Sequence, residues 1–400
     1  MKTRILIISF IVALCLGGGY WFYVYAWDSS AKVIAKEDEL TRTSFLKDKR
    51  AVIYFSTTAD QDINGDGLSY AVFVDENGQA KSAKMKGLEL GSVTKSPNQV
   101  FLEDKNHIQI LGDEYKDFQM RKSEYTGERS GYIKGKDLFF SIYNSGFSKT
   151  GGYNSDVRFG NKNGFQTGTI PSYIVASGLV GENIYIVTNN PKMPKEFNLQ
   201  EVVLNNKIAI KQLCKFETKD EVSPDSQVLA DQHFYYIIAS NASSDEHNKD
   251  EILLRIDKKT FRLDTLPLVH YSNIEDVRST IVYNTKQSAY LFNGELFYID
   301  GLGDVYTFNT ETEQVQKKFS LIDADKTVLY YNEQVYFQGN YVYYFRNNPK
   351  NNKFSIEVYN LKTGKLETHQ EIKGINEIMT QVTKKGKSIY AYSFMMLKGA

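Results

Sequence analysis

The hydrophobic pattern changes character twice along the chain. Residues Ile5 to Trp27 carry no charge, behind Lys2 and Arg4 and ahead of Asp28. At ~1.5 Å per residue such a run can cross a hydrocarbon core of ~30 Å as a helix. Residues 28–49, "DSSAKVIAKEDELTRTSFLKDK", are polar and hold too few apolar positions for a core face. Asp28, Ser29 or Ser30 can cap a short helix there, so this segment reads as a partly helical stalk. From Arg50 onward, short runs rich in Val, Ile, Tyr and Phe alternate with Gly, Asn and Asp turns, as in "AVIYFS", "NIYIVTNN", "HFYYIIAS" and "YVYYFRNN". That pattern predicts an all-β domain built from hairpins, with no long amphipathic helix.

Within this domain one hairpin recurs. A strand runs into Asp/Asn-x-x-Thr and a second strand leaves, at Asp257–Thr260, Asn309–Thr312 and Asn360–Thr363. The spacing is about fifty residues, the period of a stacked or radial β-unit. The pattern resembles a β-propeller: roughly 350 residues at that period make about seven four-stranded blades. Ring closure removes the exposed edges that an open sheet of this size would carry. The final run, "KSIYAYSFM", is the expected partner of the first blade. Two β-sandwiches in tandem are the alternative, but they leave the period unexplained. The expected organisation is a membrane anchor or signal sequence over 1–27, a stalk over 28–49 and a propeller over 50–400.

Composition narrows the class of partner. The chain has 48 basic and 48 acidic side chains, which argues against nucleic acid, since phosphate binding needs a concentrated positive surface. It has 28 Tyr and 24 Phe but 7 Pro, as suits pleated, half-buried surfaces. Cys15 lies in the apolar run and leaves Cys214 as the only thiol of the β-domain, so stability is expected to come from packing rather than a disulfide.

The basic residues before the apolar run and Asp28 after it place the bulk of the chain outside the membrane, with residues 5–27 in the lipid bilayer. Tyr20, Trp21, Phe22, Tyr23, Tyr25 and Trp27 form an aromatic belt at its outer end. An uncleaved single-pass anchor is the preferred reading. "VALC" also resembles a lipobox with Cys15 as the lipidated residue, although Leu14 stands where a small residue is usual. Cleavage near Gly17–Gly19 is the third reading. All three put the domain in the extracytoplasmic space.

The most chemical-looking stretch is "DQDINGDGLSY", Asp60 to Tyr70. Strands flank it, and Ala71 occupies the twelfth position where an EF-hand needs a bidentate Glu, so it is not an EF-hand. Asp62, Asn64, Gly65, Asp66 and Gly67 instead resemble the calcium loop of FG-GAP-type propeller blades, as in integrin heads. That resemblance implies a structural calcium ion held by Asp62, Asn64 and Asp66, with Asp60 as a further candidate. The family loop ends in another Asp where this chain has Tyr70, and one clear copy is present rather than several. The alternative is a hairpin loop that uses Asn-Gly and Asp-Gly for their backbone angles.

No other catalytic constellation stands out. His107, His233, His247, His270 and His369 show no metal-ligand spacing, and there is no Gly-x-Ser-x-Gly, phosphate loop or dinucleotide fingerprint. Cys214 reads as a buried small hydrophobe. The Gly- and Asn-rich region Asn144 to Gly168 reads as a long loop of the kind that carries binding on a rigid scaffold. Two functions remain. The first is a membrane-tethered extracytoplasmic binding or scaffolding module whose propeller face meets an envelope protein, peptide or glycan. The second is a propeller enzyme of the lyase, hydrolase or lactonase type, built from residues distant in sequence around a channel mouth.

Overall fold

The computed structural model describes residues 33–398, apart from 150, 191, 242–247, 273–276, 281–283, 322–332 and 349. The apolar run 5–27, Cys15 and His247 lie outside the described residues. The described chain forms seven antiparallel sheets arranged as a closed propeller. Blade 1 joins the C-terminal strand Tyr390–Met396 to Lys49–Ser56, Leu68–Asp75 and Ala80–Lys86. Blades 2 to 7 then follow in sequence order, each starting with its innermost strand: Thr94–Lys95, Gly127–Ile133, Tyr173–Val180, the pair Val222–Pro224 and Leu229–Ala230, Ala289–Phe292, and Gln334–Gln338.

The closing strand is in register through Val52↔Met395, Ile53↔Phe394 and Tyr54↔Ser393, with a bulge at Tyr54/Phe55. Phe394 is fully buried, so its burial alone favours closure by about 1.5–3 kcal/mol. Each sheet packs both faces against neighbouring sheets, which is why the strands read as continuous apolar runs rather than alternating ones. One buried cluster fills each seam between blades. The seam between blades 7 and 1, for instance, holds Ile53, Phe55, Tyr343, Phe345, Ile356 and Phe394. Tyrosine suits these seams because its ring fills them while its hydroxyl reaches a polar partner. Tyr54 donates to Ser69 Oγ at 3.0 Å, Tyr236 to Asp231 at 2.7 Å and Tyr359 to Glu357 at 2.7 Å.

The repeated Asp/Asn-x-x-Thr turns link the third and fourth strands of blades 5, 6 and 7. In each, the Asx side chain accepts two backbone N–H bonds: Asp257 from Lys259 and Thr260, Asn309 from Glu311 and Thr312, Asn360 from Lys362 and Thr363. The next residue takes positive φ, 58° at Phe261 and Glu313 and 68° at Gly364.

Two segments differ from the sequence expectation. Residues Asn144 to Gly168 are not a long loop; they run through the strands Leu138–Phe147, Tyr153–Asn161 and Gly164–Ile170 of blade 3. The glycines there admit close packing, since a Cβ at Gly160 would come 2.0 Å from the Gly164 carbonyl oxygen. Residues 33–48, read as a stalk, instead lie along blade 1. Ala35 N–H bonds to Ser82 O and Ser82 N–H to Val33 O, helix α1 (Glu37–Leu40) follows, and Phe45 stacks edge-on to Phe73 at 5.0 Å. This covers the outer edge of the first blade. A second helix, α2 (Ile375–Thr383), buries Ile375, Ile378 and Val382 on the seam between blades 7 and 1.

Candidate binding site on the propeller axis

The links from second to third strand, and from each blade to the next, gather at one end of the molecule by the alternation of antiparallel strands. This upper face carries most of the buried charge. At its centre lie Asn284 and Lys286, near the end of the connection from blade 5 to blade 6. Asn284 Nδ2 donates to Gln334 Oε1 of blade 7 at 2.6 Å and to the Tyr392 carbonyl of blade 1 at 3.1 Å. The Lys286 ammonium donates to Leu90 O at 3.1 Å, on the link before blade 2, and to Gly127 O at 2.9 Å, at the start of the inner strand of blade 3. Arg129 on the inner strand of blade 3 donates from Nη2 to the Lys286 carbonyl at 3.2 Å and from Nε to Ser177 Oγ at 2.8 Å. The Ser177 hydroxyl in turn donates to Glu128 Oε1 at 2.8 Å, and Asn144 donates to Glu128 Oε2 at 3.3 Å.

Two cavities share Asn284 and Lys286 as wall. The first, about 330 Å³, is lined by Glu128, Asn144, Tyr153, Tyr173 and Lys286. Its rim is aromatic. Phe147 is 80% exposed and meets Tyr153 edge-on at 5.3 Å, and Tyr153 meets Tyr173 at 4.9 Å. The second, about 250 Å³, is lined by Lys95, Arg129, Lys286 and hydroxyls of the inner strands. Arg129 and Lys286 keep some exposed surface, but Lys286 borders both cavities and Arg129 the second. Burial therefore lowers the Lys286 ammonium to about 8, against the opposing pull of Glu128, and also lowers Arg129.

The four candidate calcium ligands have the following partners. The Asp62 carboxylate is buried; its Oδ2 sits 2.6 Å from the Lys105 ammonium, and its Oδ1 accepts Gly67 N–H at 2.6 Å. Asp66 pairs with Lys387 at 2.8 Å, whereas Asp60 and Asn64 are exposed. Gly67 is required by this curl, because a Cβ there would come 2.5 Å from Asp62 Cγ. Lysine ammoniums thus balance two of the four candidate ligands, and among the described residues no three His, Cys, Asp or Glu side chains gather to hold a metal ion. His107, His233, His270 and His369 belong to blades 2, 5 and 7, and none lines either axial cavity. Cys214 is buried in the seam between blades 4 and 5, where burial raises its thiol.

Other buried charge on the upper face ties blades together. Arg158, 2% exposed, donates to the carbonyls of Asp104, Lys105 and Lys122 at 3.2, 2.9 and 2.8 Å and lies 4.7 Å from the centre of the Tyr143 ring. In blade 5, Lys249 sits 2.5 Å from Glu251 and 3.4 Å from Asp225. Burial first, then the nearby Asp225, pushes Glu251 up to about 8.

Sequence reasoning missed the axial groups because they come from several blades and share no motif. Only part of the first cavity was signalled, through the Asn144–Gly168 region that supplies Asn144, Phe147 and Tyr153; Tyr173 comes from the inner strand of blade 4.

The fold and its axial cavities define a closed seven-bladed propeller with an enclosed polar centre. The chain belongs to the YycP beta-propeller domain family, which it matches over residues 44–397. It is 30% identical over 372 residues to the uncharacterized protein YycP of Bacillus subtilis (strain 168), covering 92% of this chain and 94% of that protein. Likeness to solved structures is remote. BamB from Moraxella catarrhalis is 10% identical, with 70% of this chain and 71% of that chain covered and a TM-score of 0.38. Apo AztD from Citrobacter koseri is 10% identical, with 87% and 98% covered and a TM-score of 0.42.

Proposed function

We propose that the chain is a membrane-tethered extracytoplasmic binding module that presents the upper face of its propeller to an envelope protein, peptide or glycan. One observation carries this reading: Tyr153 and the exposed Tyr173 line an axial cavity walled by Glu128, Asn144 and Lys286, and the exposed Phe147 packs on Tyr153 beside it. Exposed aromatic rings beside a few polar groups in a concave site are the usual make-up of a binding surface. The enzyme reading would need carboxylates and a histidine at the channel mouth, and the axial cavity walls hold one carboxylate, Glu128, and no histidine. Tethering rests on the uncharged run 5–27 and the basic residues before it. Among the described residues no helix is long and apolar enough to cross a membrane, and that run lies outside them. Because Val33 is already seated on blade 1, residues 28–32 alone would bridge bilayer and propeller, about 18 Å at full extension.

The test pairs localisation with binding. Protease added to intact cells should degrade the propeller. The full chain should be retained on either the protein or the glycan fraction of isolated envelopes. Phe147→Ser combined with Tyr173→Ser should weaken that retention at least tenfold with an unchanged circular dichroism spectrum. Equal retention of the double variant would sink the reading.

A further inference from the structure

The second axial cavity carries a charge pattern that its architecture does not need. Three cationic side chains, Lys95, Arg129 and Lys286, line about 250 Å³, and no Asp or Glu shares that wall. Among the described residues none of the three forms an ion pair. Each is aimed by neutral oxygens instead: Lys95 by Met396 O and Leu397 O at 2.8 and 3.1 Å, Lys286 by Leu90 O and Gly127 O, and Arg129 by Lys286 O and Ser177 Oγ. Such contacts orient a cation without neutralising it. Each ammonium uses two of its three N–H groups and Arg129 two of its five, so donors remain for a ligand. Ser92 and Ser130, bonded to each other at 2.8 Å, add hydroxyls to the same wall.

Enclosed cations with no direct ion-pair partner are costly to fold, and a bound anion offsets that cost. The strain shows in burial lowering all three groups. Glu128 lines the neighbouring cavity, where Ser177 and Asn144 bond its oxygens; its charge reaches Arg129 and, with those of Glu103 and Glu89, Lys286 without a direct ion pair.

We propose that Lys286, Arg129 and Lys95 form an anion site on the propeller axis that takes a phosphate or carboxylate group. The volume suits a small anion or the charged tip of a longer molecule, and is below the usual range for whole drug-sized ligands, roughly 300–1,000 Å³. The identification of this anion as part of the upper-face partner rests on the binding reading above, since Lys286 walls both cavities.

The experiment is calorimetric titration of the full chain with inorganic phosphate and, separately, with acetate, against sodium chloride at matched ionic strength. One of the two anions should bind saturably and chloride should not; which one identifies the group. Lys286→Gln and Arg129→Gln should each weaken binding at least tenfold, with Lys81→Gln, on the outer edge of blade 1, as the charge-loss control. If Lys286→Gln does not fold, Ser130→Ala, which keeps every cation, should still weaken binding several-fold. No binding by wild type, or equal weakening by Lys81→Gln, overturns the site. Retention on envelopes that survives this outcome leaves the binding module standing without its anion site. Loss of both removes the reading of the whole face.

Discussion

Lys105 of blade 2 and Asp62 of blade 1 form a buried ion pair at 2.6 Å across the seam of the first two blades. The pair turns the loop that resembles an FG-GAP calcium site into a clasp closed by an ammonium. Removing one partner of a buried pair typically costs about 3–5 kcal/mol. Asp62→Ala is therefore expected to lower unfolding free energy on that scale, while calcium and chelator leave the wild-type midpoint unchanged. A calcium-dependent rise in melting temperature that Asp62→Ala abolishes would support the calcium reading, because a ligand bound to the folded state stabilises it by mass action.

Arg158 illustrates a second kind of clasp. Its guanidinium satisfies three backbone carbonyls of blade 2 from the third strand of blade 3. Arg158→Leu leaves those acceptors without donors in a buried setting, at about 1–3 kcal/mol for each group that water does not reach. Arg158→Lys keeps the charge but loses the planar fork. Denaturant titration should show a large loss for Leu, on the order of 3 kcal/mol or more, and an intermediate one for Lys.

The parts of this fold that were legible in sequence are those set by neighbours along the chain. Asp257, Asn309 and Asn360 announce their turns because each side chain bonds to N–H groups two and three residues ahead. The apolar run at Tyr390–Met396 announced a closing strand for the same reason: its pattern is complete in itself. The axial site is the opposite case. Asn284 and Lys286 share the link from blade 5 to blade 6, but Arg129 lies in blade 3 and Lys95 in blade 2, and the three places meet only when the ring closes. Val33 to Leu46 were misread because three buried positions, Val33, Ala35 and Leu40, suffice to seat a segment on an existing edge, too few to show as a periodic face. The loop at Asp62 shows a further limit. A backbone curl that needs Asp and Gly looks the same in sequence whether an ion or a lysine sits inside it.

Ring closure itself can be probed at Phe394, which packs against Phe345 at 5.9 Å and is fully buried. Phe394→Ala should cost about 3–5 kcal/mol, the range for an aromatic ring removed from a core. Because the strand joins the two ends of the chain, the loss should also raise hydrogen exchange in Lys49–Ser56, its neighbour, more than in the inner strands of blades 3 and 4. Uniform exchange across all blades would show that closure is not the weak step.

The buried trio in blade 5 makes stability depend on pH in a definite direction. Asp225 and Glu251 are two carboxyls facing one ammonium, Lys249, so the cluster is neutral when it holds one proton. Burial and the like charge of Asp225 raise Glu251 to about 8, above its unfolded value near 4.5. Between those two values the folded state keeps a proton that the unfolded chain releases, so stability falls as pH rises through this window. Asp300, raised to about 6 mainly by burial, acts in the same sense at lower pH. Glu251→Gln replaces the protonated acid with a neutral group of the same shape and leaves Asp225 paired with Lys249. Wild type should be less stable at pH 9 than at pH 6 in denaturant titrations, and Glu251→Gln should flatten that slope and exceed wild type at pH 9. A variant whose pH profile runs parallel to wild type would assign the proton to another group.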